Sequence, residues 1–237
     1  MNKDSPVQGL APLDINPSLI NQIYDHLVEA IATDRLQPGA RLNQRALAET
    51  FKVSRQPVSH ALHRLKSAGL ARDSGSKGLV VAPIDPKRLI DLYDVRAAIE
   101  GLVAERAASR IADGQVETDD VDRLRDLLQF AQTMTKATSV AACIEADVRF
   151  HLCVSQICGS EVMMETIDPL WPHFRRSMGR VLMDHDHRQI SWQGHERVVK
   201  ALIAGDAGLA RHAMQSHIEE AKLFVLDKIS RAVVRAG

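Results

Sequence analysis

From Pro86 onward, apolar residues recur at helical spacing, and no segment alternates apolar and polar residues as a half-buried strand would. Candidate helices joined by short connections cover residues 86–112, 119–136, 139–158, 161–183 with breaks near Pro169 and Pro172, 194–204 and 207–234. Such helices bury their apolar stripes against one another. This part of the chain is therefore predicted to be an all-helical bundle of about six or seven helices.

The preceding residues follow a different plan. A helix is predicted over residues 18–33, and Asn43 can cap a short helix over residues 44–51. Ser54 can cap a second short helix that ends at Gly69. The predicted buried stripe of this second helix is Val58, Ala61, Leu62 and Leu65. Two strand-like pieces then flank the tip "SGSKG", so the region is predicted to be a winged helix-turn-helix.

Charge is balanced over the whole chain, with 30 Lys and Arg against 30 Asp and Glu, but it is unevenly distributed. Between Arg35 and Lys77 there are nine basic residues and two acids, Glu49 and Asp73. From Pro83 onward there are 20 basic and 23 acidic residues. A basic first third followed by a slightly acidic remainder indicates two domains with different partners.

These patterns predict a mainly α fold in two domains. Residues 1–17 are a polar, proline-broken and flexible segment, residues 18–82 the winged helix-turn-helix domain, residues 83–88 a linker and residues 89–237 the helical domain. No signal peptide pattern and no membrane-spanning run is present, so a soluble, cytoplasmic protein with no membrane partner is expected. Three cysteines are expected to be reduced and mostly buried: Cys143, Cys153 and Cys158.

The second short helix has a basic, hydrogen-bonding N-terminal edge. As the second helix of a helix-turn-helix, it would place Ser54, Arg55, Gln56 and Ser59 near bases and phosphates. The hairpin tip carries the cation Lys77 and would reach the neighbouring minor groove or backbone. A basic helix face is often only solvated, so both interpretations remain open on the pattern alone.

Polar residues interrupt the apolar stripes of three helices in the bundle. Asp147 and His151 stand four residues apart in one stripe, and His195 and His217 stand in two others, whereas His212 points toward water. Buried carboxylates and imidazoles are normally paired or metal-bound. One Asp and three His meeting in a core can hold a divalent ion. Taken singly, each histidine is also compatible with a hydrogen-bonded core residue.

Arg96 also lies in an apolar stripe, with Glu100 one turn further on. A planar guanidinium facing a core suits a carboxylate, which can be supplied by an internal ion pair with Glu100 or by a ligand. A rival metal-like cluster, "DHDH" at residues 184–187, is expected to lie in a solvated polar loop.

The segment "LNQRALAETFKVSRQPVSHALHRLKSAGLA" resembles the DNA-binding motif of the GntR family of bacterial transcription factors. That motif usually runs close to L-x-E-x-x-L-A-x-x-L-x-V-S-R-x-P-V-R-x-A-L-x-x-L-x-x-x-G-L. The resemblance covers about 65 residues including the wing. It implies that Arg45 and Arg55 are the main DNA-contacting arginines, flanked by Ser54 and Gln56, with Gly78 at the wing.

Two positions depart from this motif. Gln44 replaces the usual acid, and Ser59 replaces an arginine that commonly contacts a base or phosphate. His60 is the neighbouring candidate to substitute for that arginine. The operator sequence therefore follows less directly from the resemblance than DNA binding does.

The segments "DVRAAIE", "ADVRFH", "GHERVVKALIAGD" and "ARHAMQSHIEEA" resemble the FCD effector domain of the FadR-type branch of the GntR family, over most of residues 86–230. The resemblance implies four metal ligands, none of them substituted: Asp147, His151, His195 and His217. Zinc suits three imidazoles, with nickel or manganese as alternatives. It also implies that Arg96, with Glu100 beside it, clamps a small organic acid against the metal, and that this domain supplies the dimer contacts.

The sequence thus predicts a ligand-responsive transcriptional regulator, a repressor rather than an enzyme. It would bind operator DNA as a homodimer and respond to a small carboxylic acid. One alternative is a metal-dependent enzyme acting on a small carboxylic acid, although no HExxH motif or separate general base stands at useful spacing. Another is an architectural DNA-binding protein with a structural metal.

Overall fold

The computed structural model describes residues 17–75 and 78–236. Its first part contains α1 (Pro17–Ala32), α2 (Gln44–Phe51), α3 (Arg55–Ser67), β1 (Ala71–Asp73) and β2 (Leu79–Val81). The expected flexible segment up to residue 16 and the wing-tip cation Lys77 lie outside the described residues.

Helices α2 and α3 form the predicted helix-turn-helix. The side chain of Asn43 accepts hydrogen bonds from the backbone N–H groups of Arg45 and Ala46, at 2.9 and 3.1 Å, and so caps α2. Gly69 follows the end of α3 with a φ of +77°, a conformation that glycine adopts without strain. All four residues of the predicted buried stripe of α3 are buried: Val58, Ala61, Leu62 and Leu65.

The expectation that the Ser54 side chain caps α3 is wrong. Ser54 occupies the N-cap position, but its side chain makes no capping hydrogen bond. Instead, the side-chain amide of Gln44 donates to the carbonyl of Arg55 at 2.8 Å and ties the start of α2 to the start of α3. The first turn of α3 is therefore held in place by a neighbouring helix, without a side-chain cap of its own.

The predicted wing is present as an antiparallel pair of strands. Ala71 lies opposite Val81 and Asp73 opposite Leu79. Together with the buried faces of α1 and α3, the inner side chains of this hairpin complete a small separate core. The winged helix-turn-helix therefore has the compact core that a DNA-binding unit needs to hold its second helix in a fixed orientation.

The second part contains α4 (Pro86–Ala112), α5 (Thr118–Gln132), α6 (Val140–Cys158), α7 (Glu161–Ile167), a 3-10 turn (Asp168–Leu170), α8 (Trp171–Leu182), α9 (His185–Ile203) and α10 (Ala207–Ala236). Over the described residues this is the predicted all-helical bundle. The long helix α4 packs against α10, α6 and α9. The cysteines of α6 are buried and form no disulfide, as expected.

Some predicted boundaries differ from the structure, among them the start of α9, which lies at His185 and not at residue 194. Helix α5 ends at Gln132 and not at residue 136, because Thr135 and Thr138 form a turn: the Thr135 N–H donates to the Thr138 hydroxyl at 3.0 Å. The linker predicted over residues 83–88 is helical from Pro86, since the Asp85 carboxylate accepts backbone N–H bonds and caps α4.

The expectation of a solvated loop at "DHDH", residues 184–187, is also wrong, because α9 begins there. The side chain of Asp184 accepts the backbone N–H of His187 at 3.3 Å and caps the helix. The ring of His187 is buried and stacks on Phe224 with a centroid distance of 3.4 Å. The cluster is therefore a helix start packed on α10, and not a rival metal site.

Helix α8 packs on both parts of the chain. It contacts α6 and α10 within the bundle and α1 in the winged helix-turn-helix. Gly179 of α8 lies directly on the backbone carbonyl of Ala32, and Arg180 forms an ion pair with Asp34 at 3.2 Å. The two parts are therefore joined by direct helix packing as well as by the connection before α4.

Among the described residues, no helix combines the length and the apolar character needed to cross a membrane.

The contact between α8 and α1 depends on the missing side chain of Gly179. A Cβ at this position would collide with the Ala32 carbonyl, which belongs to the backbone and cannot rotate away. We expect Gly179→Ala to lower the free energy of unfolding by about 1–3 kcal/mol, measured by urea denaturation.

The matched control is Gly208→Ala near the start of α10. A Cβ there would meet only an aspartate oxygen at 3.7 Å, an ordinary contact. Alanine in a helix should stabilise this position by about 0.5–1 kcal/mol. Equal effects of the two substitutions would contradict a tight contact between α8 and α1.

Candidate functional site

The structure exposes the predicted DNA-contacting edge of α3. Six residues predicted to contact DNA are exposed: Arg45, Ser54, Arg55, Gln56, Ser59 and His60. Gly78 is also exposed, with a φ of +70° at the base of the wing tip. They therefore form a solvent-facing surface around the start of α3, separate from the core of the winged helix-turn-helix.

The two arginines of this surface differ in their local contacts. Arg45 pairs with Glu49 at 3.0 Å, but both side chains are about two-thirds exposed or more, at 73% and 67%. Exposed pairs of this kind contribute little, so Arg45 can exchange Glu49 for a phosphate at small cost. Within the described residues, the Arg55 side chain has no ion-pair partner. A free cation and an uncapped helix start are both suited to a phosphate backbone.

The bundle brings the four predicted metal-ligating residues together in its interior. Helix α6 supplies Asp147 and His151, α9 supplies His195, and α10 supplies His217. Their exposed fractions are 4%, 1%, 0% and 4%. Because they are spaced in register with the apolar stripes, the helices that bury the core also bury these polar groups. His212, five residues before His217, is exposed as predicted.

Asp147 lies between two of the imidazoles. Its Oδ2 atom is 3.7 Å from Nε2 of His151, and its Oδ1 atom is 3.4 Å from Nε2 of His195. One ring nitrogen from each of His151, His195 and His217 lies within 4.8 Å of the others. One ring nitrogen from each of the three imidazoles thus approaches a common point, and the Asp147 carboxylate lies beside two of these rings. Together they offer the donor set of a four-coordinate divalent metal site.

The position of His217 depends on a glycine in the facing helix. A Cβ on Gly194 of α9 would lie 2.5 Å from Nδ1 of His217. The imidazole therefore packs directly on the backbone of α9. This contact was not identified from the sequence, where Gly194 was only the predicted helix start.

Burial sets the protonation state of the cluster. It lowers the pKa of His195 and His217 well below the usual value for histidine, and the neighbouring His151 lowers both further. Both imidazoles are therefore neutral near pH 7, the form that offers a lone pair to a metal. Burial also raises the pKa of Asp147, although the positive charge of Arg96 opposes this shift.

Two of the imidazoles lack hydrogen bonds that a purely structural role would require. Both ring nitrogens of His195 and Nε2 of His151 are buried without a hydrogen-bond partner among the described residues, whereas Nδ1 of His151 faces Glu100. Such orphaned groups are uncommon in protein interiors, because each costs about 1–3 kcal/mol. This geometry disfavours the interpretation of the histidines as hydrogen-bonded core residues, and the donor set fits a metal ion.

Arg96 and Glu100 of α4 are buried next to the four predicted metal-ligating residues, and the six side chains together are called the chamber from here on. The Arg96 guanidinium lies 2.7 Å from Glu100 Oε1, and Glu100 Oε2 lies 2.5 Å from Nδ1 of His151. Burial favours the protonated carboxyl, but Arg96 and His151 together lower the pKa of Glu100 to about 2. Glu100 is thus a carboxylate whose two oxygens face two partners within the protein.

This contact changes the expected role of Glu100. The sequence placed it beside Arg96 as an effector contact, whereas the structure places it against His151 as well. The Nη2 atom of Arg96 is buried and has no hydrogen-bond partner among the described residues. Arg96 therefore keeps donor capacity for a further carboxylate, while Glu100 is occupied.

An aromatic shelf, formed by Trp171 and Phe174 of α8, supports the guanidinium. The central carbon of Arg96 lies 5.5 Å from the Trp171 ring and 4.9 Å from the Phe174 ring. Phe150 stacks on His195 with a centroid distance of 4.0 Å. Periodicity along the chain does not predict these contacts, because they join residues from different helices.

Two family models match the chain. The model described as "Bacterial regulatory proteins, gntR family" matches residues 19–81, and the model described as "FCD domain" matches residues 91–220. The second match alone covers more than half of the chain.

Individual relatives agree with these matches. The protein assigned as regulator of the L-lactate dehydrogenase operon in Escherichia coli K12 is 29% identical over 225 residues, covering 84% of this chain and 83% of the relative. The HTH-type transcriptional repressor RspR of the same strain is 28% identical over 212 residues, covering 87% and 89%.

A solved structure shows the same fold. The Escherichia coli protein McbR/YncC superposes with a TM-score of 0.76 at 21% identity, covering 90% of this chain and all of that one. The relatives and the matched domains are those of transcriptional regulators and not of enzymes. The chain therefore belongs to the GntR family of bacterial regulatory proteins, with an FCD domain as its second domain.

Proposed function

We propose that this regulator is a repressor that binds operator DNA as a homodimer and responds to a small carboxylic acid held at a metal site. The observation that carries this proposal is the link between two sites by one element. Helix α8 supports Arg96 of the chamber with its first turn and packs on α1 of the winged helix-turn-helix. A ligand that moves α8 would therefore also move the DNA-reading domain.

DNA recognition is assigned to the exposed edge of α3. Arg55 and Gln56 would read bases, and Arg45, Ser54 and the uncapped start of α3 would contact phosphates. Ser59 and His60 lie on the same exposed edge, and the wing with Gly78 would contact the adjacent backbone. Lys77 retains this predicted role as a proposal.

Homodimerisation would place two copies of α3 on two half-sites of an operator. Apolar side chains are exposed on two adjacent helices, with Val95 of α4 at 44% and Leu223 of α10 at 59%. The two helices are joined nearby by the ion pair of Asp94 and Lys222 at 2.8 Å. Exposed apolar side chains on neighbouring helices support a protein contact at this face.

Asp147, His151, His195 and His217 would hold the metal, with zinc favoured over nickel or manganese by the three imidazoles. When bound, the ion supplies a Lewis-acid position for an effector carboxylate. Glu100 would orient His151 through its Nδ1 atom, an arrangement that fixes a ligating ring and raises its basicity. Arg96 would donate a hydrogen bond to the same effector carboxylate from Nη2, which has no hydrogen-bond partner among the described residues.

The effector can change DNA binding only if it binds two arrangements of the domains with different affinity. We place this difference at Arg96, because its guanidinium lies against the aromatic rings of Trp171 and Phe174 in α8. Next to it, Tyr93 of α4 forms a hydrogen bond with Ser177 of α8 at 2.9 Å. A carboxylate drawn to Arg96 would alter this packing. The proposed coupling distinguishes the protein from an architectural DNA-binding protein, in which small acids would have no effect.

Replacing Arg55 by alanine tests the DNA-binding surface. The parent protein would first select its preferred duplexes from a random-sequence pool, and affinity would then be measured by fluorescence anisotropy. We expect Arg55→Ala to weaken binding about 5- to 150-fold, because a bidentate base contact contributes about 1–3 kcal/mol.

Lys66→Ala is the matched control for this measurement. Lys66 lies in the last turn of α3 and pairs with Asp73 at 2.6 Å, away from the proposed reading edge. Affinity of the Arg55 variant equal to that of the parent would contradict the role assigned to this helix.

Metal content tests the chamber. Elemental mass spectrometry of gently purified protein should find about one divalent ion per chain, as expected for a site with four protein ligands. The double variant His195→Ala/His217→Ala should lose it. The control His212→Ala removes an exposed histidine of the same helix as His217 and should retain the ion.

Protein that contains no metal and takes none up would contradict the metal site. The assignment of DNA binding to α3 would still stand, because the DNA-reading surface and the metal site share no residue.

Replacing Arg96 by lysine tests the effector clamp. Lysine keeps the positive charge but lacks the planar fork that binds a carboxylate bidentately. In calorimetric titrations with a panel of small mono- and dicarboxylic acids, we expect about tenfold weaker binding or more for Arg96→Lys. A variant that retains both its metal and its full acid affinity would show that the acid does not bind at Arg96.

A further inference from the structure

A small cavity of about 100 Å³ lies at the junction of the two domains. Its walls come from Gly69 just after α3, from residues 83–85 before α4, and from the first two turns of α4 and of α8. Two arginines and one histidine line it: Arg88, Arg176 and His173. None of these residues belongs to the proposed DNA-reading edge or to the metal chamber.

Arg176 is the most deeply buried cation of this cavity. Only 7% of it is exposed, and its Nη2 atom donates to the carbonyl of Ala82 at 2.6 Å. Among the described residues, no carboxylate lies within ion-pair distance of it. Burial, and then the neighbouring charge of Arg180, lower the pKa of Arg176 to about 10. A buried guanidinium bonded only to a carbonyl is an unusual arrangement, because its charge has no counterion.

Arg88 and His173 lie together on the other side of the cavity. A Cβ built on Gly69 would be 3.9 Å from Nη2 of Arg88 and 4.0 Å from Cε1 of His173. His173 also contacts the carbonyl of Ala68 at 2.8 Å. Burial lowers the pKa of His173, and the positive charges of Arg88 and Arg176 lower it further, which shows that the three groups share one electrostatic environment.

Negative charge near the cavity is already engaged. Asp85 lines the cavity, but its Oδ1 atom accepts the backbone N–H groups of Lys87 and Arg88 as the cap of α4. Asp34, which lies close to Arg176, pairs with Arg180 at 3.2 Å. The cavity therefore has an excess of positive charge.

We propose that this cavity binds a small inorganic oxyanion of the phosphate and sulfate class between Arg88 and Arg176. Guanidinium groups bind such oxyanions through paired N–H donors. The bound ion would balance the charge of Arg176 and hold the end of α3, the start of α4 and α8 together at their meeting point. The cavity has a volume of about 100 Å³ and none of its lining residues belongs to the proposed DNA-reading edge, so the proposed anion is a free ion and not a phosphate of the DNA backbone.

The test is thermal unfolding of the full-length protein in sodium phosphate or sodium sulfate, compared with sodium chloride of equal ionic strength. Arg88→Gln removes one proposed ligand, and the exposed position of Arg88 makes the substitution compatible with folding. Lys87→Gln is the matched control, with the same change of charge at the adjacent exposed residue, which does not line the cavity.

For the parent and for Lys87→Gln, we expect a saturable rise in Tm of about 3 °C at an anion concentration about ten times the Kd. Arg88→Gln should show only the small, non-saturating rise that these salts give to any protein. Equilibrium dialysis with labelled phosphate should find about one ion fewer per chain in Arg88→Gln than in Lys87→Gln. Phosphate bound at the metal chamber would be unaffected by this substitution.

The same rise in all three proteins would overturn the proposal, because it would assign the effect to general salt stabilisation. Equal phosphate binding by Arg88→Gln and Lys87→Gln would do the same. A saturable effect of acetate that depends on Arg88, with none from phosphate or sulfate, would overturn the assigned class of ligand.

Discussion

Glu100 lies between Arg96 and His151, and all three side chains are almost fully buried in the helical domain. Charges are tolerated in such an interior only when each meets a partner, and removing one partner of a buried pair costs about 3–5 kcal/mol. Helices α4 and α6 must therefore keep the one register in which Glu100 reaches both neighbours. Apolar packing alone would allow neighbouring registers, so this carboxylate gives the bundle a specific arrangement.

On the side of the chamber away from Glu100, histidine ring nitrogens remain without hydrogen-bond partners. Nε2 of His151 and both ring nitrogens of His195 have no hydrogen-bond partner among the described residues, and low pKa values keep His195 and His217 neutral. An interior that satisfied all its polar groups would be more stable but would offer nothing to a ligand. The proposed metal and effector site thus occupies the part of the network that the protein itself leaves unsatisfied.

Periodicity was sufficient to predict the helices and the inward direction of single residues. Asp147 and His151 could be placed on the core face of α6 because they stand in its apolar stripe, and the bounds of α4 were predicted correctly. Contacts between helices were beyond this reasoning. The approach of Glu100 to His151 depends on how α4 and α6 pack together. The stacking of His187 on Phe224 depends on where α10 packs against α9. Without these contacts, the polar residues of "DHDH" suggest a loop, although Asp184 caps a helix there.

The chamber also limits what kind of effector can act. Moving a two-state equilibrium from 1:99 to 99:1 requires a difference in binding energy of about 5.5 kcal/mol between the states. A hydrogen bond to a charged group contributes about 1.5–3 kcal/mol, so Arg96 alone cannot provide this difference. A carboxylate that engages Arg96 and the metal together could approach it. If the proposed site is correct, an acid able to reach only one of these groups would bind without fully switching the regulator, which favours effectors that span both.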